Sequence, residues 1–208
     1  MIIRLHNADT AVEFAEPLSA SAALKSFALD SKPFAVKING GQPADLATLI
    51  EADAVLEPLG FDSAEGRTVY RHSTSHLMAM AVKELYPDAK LAIGPAIEDG
   101  FYYDFDTDVV FGPKELEEIE KVMKKLAKKN IKSERFTLPR EQAIQKMRDL
   151  GEPYKVELIE DLPEGEEISF YQMGDFVDLC RGPHLPFLSM IKAFKLTQAA
   201  GRRWAALI

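Results

Sequence analysis

The sequence predicts an α+β protein with two domains, residues 1–62 and residues 63–208. In the first part, short runs alternate apolar and polar residues between turn residues, which is typical of a small sheet. The second part opens with apolar residues at helical spacing and returns to strand-like alternation at residues 176–180. Between them, residues 61–67 are polar and include Gly66, so we place the boundary at residues 62 to 66.

The first domain is predicted to be a ββαββ unit. Two strands flank the turn Asn7-Ala8-Asp9, and a short helix follows from Ser19. Asn39-Gly40-Gly41 is a strong hairpin signal, and Pro58 is expected to end the last strand. This order resembles a β-grasp fold. The predicted strands cover residues 2–5, 11–14, 34–38 and 54–56.

The second domain is predicted to begin with a helix over residues 69–86, which Pro87 ends. At 100° per residue, one face is apolar, and the opposite face carries both histidines of the segment. We therefore expect the histidines to lie outside the helix's main core stripe. The apolar face holds Thr74, Leu77, Met78, Ala81 and Leu85, and the other face holds His72, His76, Ala79 and Lys83.

Further elements of the second domain follow from its turns and periodicity. A hairpin is expected over residues 91–105 around Glu98-Asp99-Gly100, and a helix over residues 141–149 that ends at Gly151. Between them, a Glu/Lys-rich helix is predicted to turn four apolar side chains inward, namely Leu116, Ile119, Met123 and Leu126.

Charge and composition exclude several classes of function. The net charge of -8 argues against a general polyanion binder, so any contact with RNA must be local. The basic residues cluster at 121–132, where preceding glutamates indicate a solvated helix, and at Lys192, Lys195, Arg202 and Arg203. There is no apolar block that would span a membrane or act as a signal peptide, and we expect a cytoplasmic protein. The single cysteine, Cys180, excludes an intramolecular disulfide.

The main chemical signal is the concentration of histidine and cysteine in two short motifs. Three of the four histidines and the only cysteine form His72-x-x-x-His76 and Cys180-Arg-Gly-Pro-His184. Histidines four residues apart on a helix point the same way, and strand alternation places Asp178 on the same face as Cys180. Three His and one Cys could hold zinc, although no standard zinc signature is complete. A metal-free site in which imidazoles position water and move protons is equally consistent with these residues.

These motifs, with their neighbours, resemble the N-terminal region of bacterial threonyl-tRNA synthetases. The resemblance covers residues 1 to about 200. It implies a TGS-type β-grasp domain at 1–62, followed by an editing domain at 63–208 of the type that alanyl-tRNA synthetases share. The segments that carry it are His72–His76, Lys83-Glu84-Leu85-Tyr86-Pro87, Ile93-Gly94-Pro95, Gly100-Phe101-Tyr102-Tyr103-Asp104, Tyr154-Lys155 and Val177–His184.

The resemblance also implies an activity, hydrolysis of serine wrongly esterified to threonine tRNA. It implies that His72 and Lys155 orient or activate water and handle the leaving hydroxyl. His76, Cys180 and His184, with Tyr103 and Asp178, would bind the substrate. No cofactor is then required for editing, with zinc an option at the His/Cys cluster. Threonine tRNA is the expected partner.

The C-terminal segment departs from the family. From Gly201 the sequence diverges from the family's usual continuation, and no class II aminoacylation motifs follow. We therefore expect no ligase activity from this chain alone. It would work with the remainder of a synthetase, which could be a homodimer, or with a separate synthetase.

Two other functions stay open from the sequence. The first is a zinc-dependent trans-editing hydrolase of the alanyl type, which shares an H-x-x-x-H helix and a Cys/His pair. The second is a non-enzymatic tRNA-binding or regulatory module, since β-grasp domains also occur in regulatory proteins. The second reading leaves the cluster of histidines and cysteine without a role.

Overall fold

The structure, a computed structural model, describes residues 1–199 and the backbone of residues 206 and 207. It contains helices and mixed sheets, so the predicted α+β class is confirmed. The chain divides into two compact units: Met1–Tyr70 with Gly182–Pro186, and Arg71–Arg181 with the residues from Phe187 onward. Arg202, Arg203 and Trp204, in the divergent C-terminal segment, lie outside the described residues.

The first unit is a five-stranded mixed sheet with one short helix. The strand order is β2-β1-β7-β4-β5; β1 and β7 are parallel, and the other pairs are antiparallel. Ser19 caps the helix by accepting a hydrogen bond from the Ala22 backbone N–H. The elements are β1 (Ile2–Leu5), β2 (Ala11–Glu13), β3 (Leu18–Ser19), α1 (Ala20–Leu24), β4 (Ala35–Ile38), β5 (Pro43–Ala44), β6 (Leu49–Ile50) and β7 (Ala54–Leu59).

The residues of one turn explain the hairpin of this unit, whereas the predicted end of its last strand was wrong. Asn39 and Gly40 have φ angles of 53° and 69°, the left-handed pair that a tight hairpin requires between β4 and β5. Strand β7 does not stop at Pro58 but continues to Leu59. Its pairing with β1 ends at Leu56, so Pro58 has a neighbour on one side only and its missing N–H breaks no ladder.

Helix α2 (Ala64–Leu85) begins five residues before the predicted start. The Ser63 hydroxyl accepts a hydrogen bond from the Gly66 backbone N–H at 3.0 Å, as an N-cap side chain does, so Gly66 is helical. Every residue from Ser73 to Val82 is buried. The expectation that the histidine face lies outside the core was therefore wrong: aromatic rings pack against it, with Tyr103 and Phe176 each centred 6.2 Å from the His76 ring.

The rest of the second unit surrounds α2 with short ribbons, three helices and a three-stranded antiparallel sheet. The predicted hairpin, the Glu/Lys-rich helix and the helix ending at Gly151 are confirmed, whereas α5, β12 and β13 were not predicted. The elements are β8 (Lys90–Leu91), β9 (Ala96–Ile97), β10 (Gly100–Phe101), β11 (Phe105–Asp106), α3 (Pro113–Lys128), β12 (Ser133–Thr137), α4 (Arg140–Asp149), α5 (Pro153–Glu160), β13 (Ser169–Met173), β14 (Phe176–Leu179), a 3-10 turn (Leu188–Met190), β15 (Gln198–Ala199) and β16 (Ala206–Leu207).

Helix α3 has a buried acid within its predicted apolar face. Leu116, Ile119, Met123 and Leu126 are buried as expected, and Glu120 is buried with them. Glu120 accepts hydrogen bonds from the Leu196 backbone N–H and the Lys124 side chain. These partners offset the cost of taking its charge out of water. Among the described residues, no helix is both long and apolar enough to cross a membrane.

Asp104 lies between β10 and β11 and is only 4% exposed. Neither of its carboxylate oxygens has a hydrogen-bond partner within residues 1–199. Burial raises the pKa of Asp104 from 3.8 to about 6, because the charged form loses its hydration. In the unfolded chain the carboxyl keeps its ordinary pKa, so ionisation of Asp104 weakens the fold as the pH rises through this interval.

We predict that Asp104→Asn raises the melting temperature at pH 7.5. Because the folded-state pKa is raised, the cost is fully present above about pH 6 and vanishes below the unfolded pKa of 3.8. The expected gain is about 2 to 4 °C at pH 7.5 and should shrink to nothing near pH 4. Calorimetry across this range measures it, with the exposed Asp108→Asn as control. A gain that does not depend on pH would contradict the assignment.

Candidate functional site

The two histidines of α2 meet the cysteine that follows β14. His72 and His76 lie one helical turn apart, with ring centroids separated by 5.1 Å. The His72 Nε2 atom lies 3.3 Å from the Cys180 Sγ atom. The structure therefore brings the histidine pair to a cysteine that lies more than 100 positions later in the sequence.

Asp178 on β14 is the centre of a second, fully buried group. Its carboxylate pairs with the Lys155 ammonium of α5 at 2.6 Å and accepts a hydrogen bond from the Tyr103 hydroxyl at 2.5 Å. Lys155 also donates to the Tyr103 hydroxyl at 3.1 Å. The His76 Nε2 atom lies 3.7 Å from the carboxylate, so Asp178 joins this group to the histidines.

Burial decides how these groups ionise. It lowers the pKa of His72 to about 4 and that of His76 to about 3, although the Asp178 charge opposes both shifts. Both imidazoles are therefore neutral at pH 7. Burial also raises the pKa of Asp178, but the Lys155 charge outweighs it with the help of His76 and two hydrogen bonds, and holds the pKa below its ordinary value. Burial, together with the Asp178 charge, raises the pKa of Tyr103 well above its ordinary value.

The Tyr103 ring is fixed in place by its neighbours. It stacks on Phe105 with centroids 5.0 Å apart, and its hydroxyl is held by both Asp178 and Lys155. In the segment between β8 and β9, Gly94 approaches so closely that a Cβ atom there would lie 2.1 Å from the Tyr103 Cδ2 atom. Only glycine allows this approach, and the ring has no room to move toward Gly94.

Lys155 is buried, which its residue type alone would not predict. An isolated lysine in a sequence is most often an exposed ion-pair partner. Here Lys155 is 3% exposed, because α5 turns it inward toward Asp178. The pairing makes its burial tolerable, since a buried ammonium needs an opposite charge and good hydrogen bonds.

Three side chains of the second unit form a candidate metal-binding set. The donor atoms of His72, His76 and Cys180 lie within 4.8 Å of one another. Neutral imidazoles and a thiolate are donors that zinc prefers. The residues therefore fit a zinc ion by donor type, although small movements would be needed to bring all three to bonding distance.

His184 belongs to the segment Gly182–Pro186, which groups with the first unit. The side chain is buried, and the His184 backbone N–H donates to the Asp45 carboxylate at 3.1 Å. The place of His184 in the His/Cys cluster, which the sequence motif suggests, remains a proposal.

A cavity of about 460 Å³ lies in the second unit beside this site and not within it. Lys83 and Glu152 line it, as does Phe176, whose ring also contacts His76. None of the seven residues singled out from the sequence lines this cavity. Glu152 and Phe176 were missed in the sequence, because a lone acid and a lone aromatic residue carry no motif.

Comparison with known proteins identifies relatives along most of the chain. Residues 168–205 match the family "Threonyl and Alanyl tRNA synthetase second additional domain". A threonine–tRNA ligase of Clostridium tetani is 61% identical over 177 residues, 85% of this chain and 28% of that protein. One of Acetivibrio thermocellus is 60% identical over 164 residues, 79% of this chain and 26% of that protein.

A third threonine–tRNA ligase, from Clostridium botulinum, is 53% identical over 195 residues, which is 93% of this chain and 31% of that protein. The chain thus spans less than a third of the length of these relatives. Over most of its own length, this chain is homologous to threonine–tRNA ligases, and it carries a match to the second additional domain of threonyl and alanyl tRNA synthetases.

Proposed function

We propose that this chain is the editing region of a threonyl-tRNA synthetase and hydrolyses seryl esters of threonine tRNA. One observation carries the proposal: the matched family segment contains Asp178 and Cys180, and both contact histidines of α2. Buried groups gathered in this way cost folding free energy, and such clusters mark functional sites more often than chance packing.

The reaction is attack of water on the ester carbonyl carbon. The water oxygen forms the new C–O bond and the bond to the ribose oxygen breaks. One proton of the water passes to the ribose oxygen, and the other is released to solvent as the serine leaves as a carboxylate. His72 positions the water through its neutral ring. A histidine with a pKa of about 4 is a weak base, which favours orientation of the water over full removal of its proton.

Lys155 supplies the positive charge of the site. Its ammonium has three protons, and donation to Asp178 and Tyr103 leaves one of them for a bound substrate. It stabilises the negative charge that develops on the ester oxygens and delivers a hydrogen bond to the leaving hydroxyl. His76 and Cys180 shape the pocket with Asp178, and His184, four residues after Cys180, completes it.

Selection against threonine depends on a rigid wall of the pocket that does not move aside for the extra methyl group. Serine and threonine differ by one methyl group, which a binding pocket distinguishes by only about 1 to 3 kcal/mol. A second site that excludes the larger product adds the missing discrimination. The Tyr103 ring, held by Gly94, Phe105 and Asp178, is the rigid surface we assign to this exclusion.

The two domains receive separate assignments in this proposal. We assign residues 1–62 to a TGS-type domain and residues 63–208 to the editing domain. Threonine tRNA mischarged with serine is the proposed partner, in a full synthetase or beside a separate one, and a homodimer is the proposed state of a full synthetase. Amino-acid activation would need parts of the relatives that this chain does not match.

We predict that the purified chain releases serine, and not threonine, from threonine tRNA. The rigid Tyr103 wall should admit only the smaller side chain. Deacylation of the two radiolabelled aminoacyl-tRNAs measures this preference, and an ATP-dependent charging assay should show no product. Equal release of both amino acids would contradict the exclusion argument, and charging by the chain alone would contradict the proposed function.

We predict that His72→Ala lowers the rate of seryl-tRNA deacylation by about 100-fold to 10,000-fold, because water loses its positioning group. The melting temperature should stay within about 4 °C, since His72 is only partly buried. Single-turnover deacylation and calorimetry measure the two effects. His6→Ala, an exposed histidine of the first unit, is the control. A parental rate in His72→Ala would remove His72 from the mechanism.

A second candidate is a zinc-dependent hydrolase of the alanyl type. The donor set His72, His76 and Cys180 favours it. When bound, zinc would polarise water or the ester carbonyl.

We predict that a strong chelator leaves deacylation of seryl-tRNA unchanged, because Lys155 already supplies the positive charge. Metal analysis and rates before and after chelation make the measurement. Loss of activity that zinc restores would favour the second candidate. Serine esterified to alanine tRNA, tested in parallel, separates the two substrate classes.

A further inference from the structure

Lys83 and Glu152 form an ion pair that no sequence motif predicted. The Lys83 Nζ atom lies 2.8 Å from the Glu152 Oε1 atom. Glu152 is 3% exposed, and its other oxygen accepts a hydrogen bond from the Leu91 backbone N–H at 2.7 Å. The Lys83 ammonium also donates to the carbonyls of Pro87 and Ala89, at 2.9 Å and 3.0 Å.

Glu152 stands at the start of the helix that carries Lys155. It is the residue before α5, and its backbone carbonyl accepts the Lys155 N–H at 3.2 Å. Its own N–H is held by the Met147 carbonyl at 2.9 Å. The position of the first turn of α5 is therefore set by the place where the Glu152 carboxylate is held.

Helices α2 and α5 are also connected through Asp178. On α2, His76 lies two turns before Lys83, on the same side of the helix. His76 lies 3.7 Å from Asp178, which pairs with Lys155 of α5 at 2.6 Å. The pair Lys83–Glu152 thus joins α2 to the start of α5 directly, two turns from His76 on α2 and about one turn from Lys155 on α5.

We infer that Lys83 and Glu152 are positioning residues, which hold α5 so that the Lys155 ammonium stays on Asp178 and Tyr103. Only the Glu152 end of the pair is fully buried, since the Lys83 side chain is 24% exposed. Ion pairs withdrawn from water often add little net stability, so the presence of this one favours a role in geometry. Lys155 is only 3% exposed, so its side chain has little room to adopt another path, and a shift of the first turn of α5 would lengthen its 2.6 Å contact with Asp178. This inference rests in part on the proposed function, which gives Lys155 its task.

The test compares Glu152→Gln with a matched control in the full chain. Glu152→Gln keeps the shape and an acceptor for Leu91 but loses the charge that Lys83 faces. Glu84→Gln, at the next position of α2, removes the exposed ion pair with Lys125 of α3. Lys83→Met and Lys83→Arg test the other partner, since arginine keeps the positive donor and methionine does not.

Two readouts separate positioning from folding. The first is acylation of the Lys155 amine by N-hydroxysuccinimide acetate, quantified by peptide mass spectrometry with exposed Lys121 as internal reference. It needs no catalytic activity, so it remains decisive even if the chain fails to deacylate seryl-tRNA. The second is deacylation itself, resolved into kcat and KM, with near-UV circular dichroism as the check on folding.

We expect Lys155 to be acylated about tenfold faster in Glu152→Gln and Lys83→Met than in the parent. The kcat should fall by about 10-fold to 100-fold with KM changed by less than about twofold, because misplacement affects the reacting geometry. Glu84→Gln and Lys83→Arg should match the parent.

Folded Glu152→Gln and Lys83→Met proteins with parental Lys155 acylation would overturn the inference. Loss of the near-UV spectrum in both would also overturn it, because the pair would then be needed for folding itself. If only one of these two variants unfolds, the rate of Lys155 acylation in the folded variant decides. A parent without deacylase activity whose variants still expose Lys155 would overturn the proposed function and leave the positioning role standing.

Discussion

The second unit depends on compensation of one buried charge, that of Asp178. A carboxylate that is 2% exposed would be protonated or would destabilise the fold without partners. Lys155 and Tyr103 supply those partners, and each comes from a different element. The need to satisfy this carboxylate therefore ties β14, α5 and the segment between β10 and β11 into one arrangement. The candidate site is a consequence of that arrangement.

The burial of α2 on all sides gives the site its electrostatic character. Between Ser73 and Val82 no side of the helix faces water, yet the segment carries polar and titratable residues. In such surroundings charges act over short distances with little screening, so the Lys155 charge acts on its neighbours far more strongly than the charge of an exposed lysine would. The neutral state of both histidines follows from the same loss of water.

The proposed editing reaction would have to distinguish two nearly identical substrates, the serine and threonine esters of the same tRNA. Discrimination of one methyl group requires a surface whose position is fixed more tightly than the size of that group. In the proposed function Tyr103 would meet this requirement, because it is fixed at both ends, by Gly94 beside the ring and by Asp178 at the hydroxyl. Homology to threonine–tRNA ligases supplies the chemical context in which such a surface is useful.

The sequence by itself determined the parts that depend on local chemistry. Asn39-Gly40 specified the hairpin because few other residues adopt left-handed φ angles, and the 3.6-residue period placed the apolar side of α3 correctly. The spacing of His72 and His76 placed both rings on one side of α2, within reach of Cys180. Alternation along β14 placed Asp178 and Cys180 toward the same helix.

Only the tertiary structure decided which polar residues are buried. Helix α5 has eight residues and little periodicity, so nothing local distinguished Lys155 from an exposed lysine. Its burial follows from Asp178, which lies 23 positions later, and the role of Glu152 follows from Lys83, 69 positions earlier. Local patterns report what a residue prefers, whereas the partner that makes a buried charge tolerable comes from elsewhere in the chain.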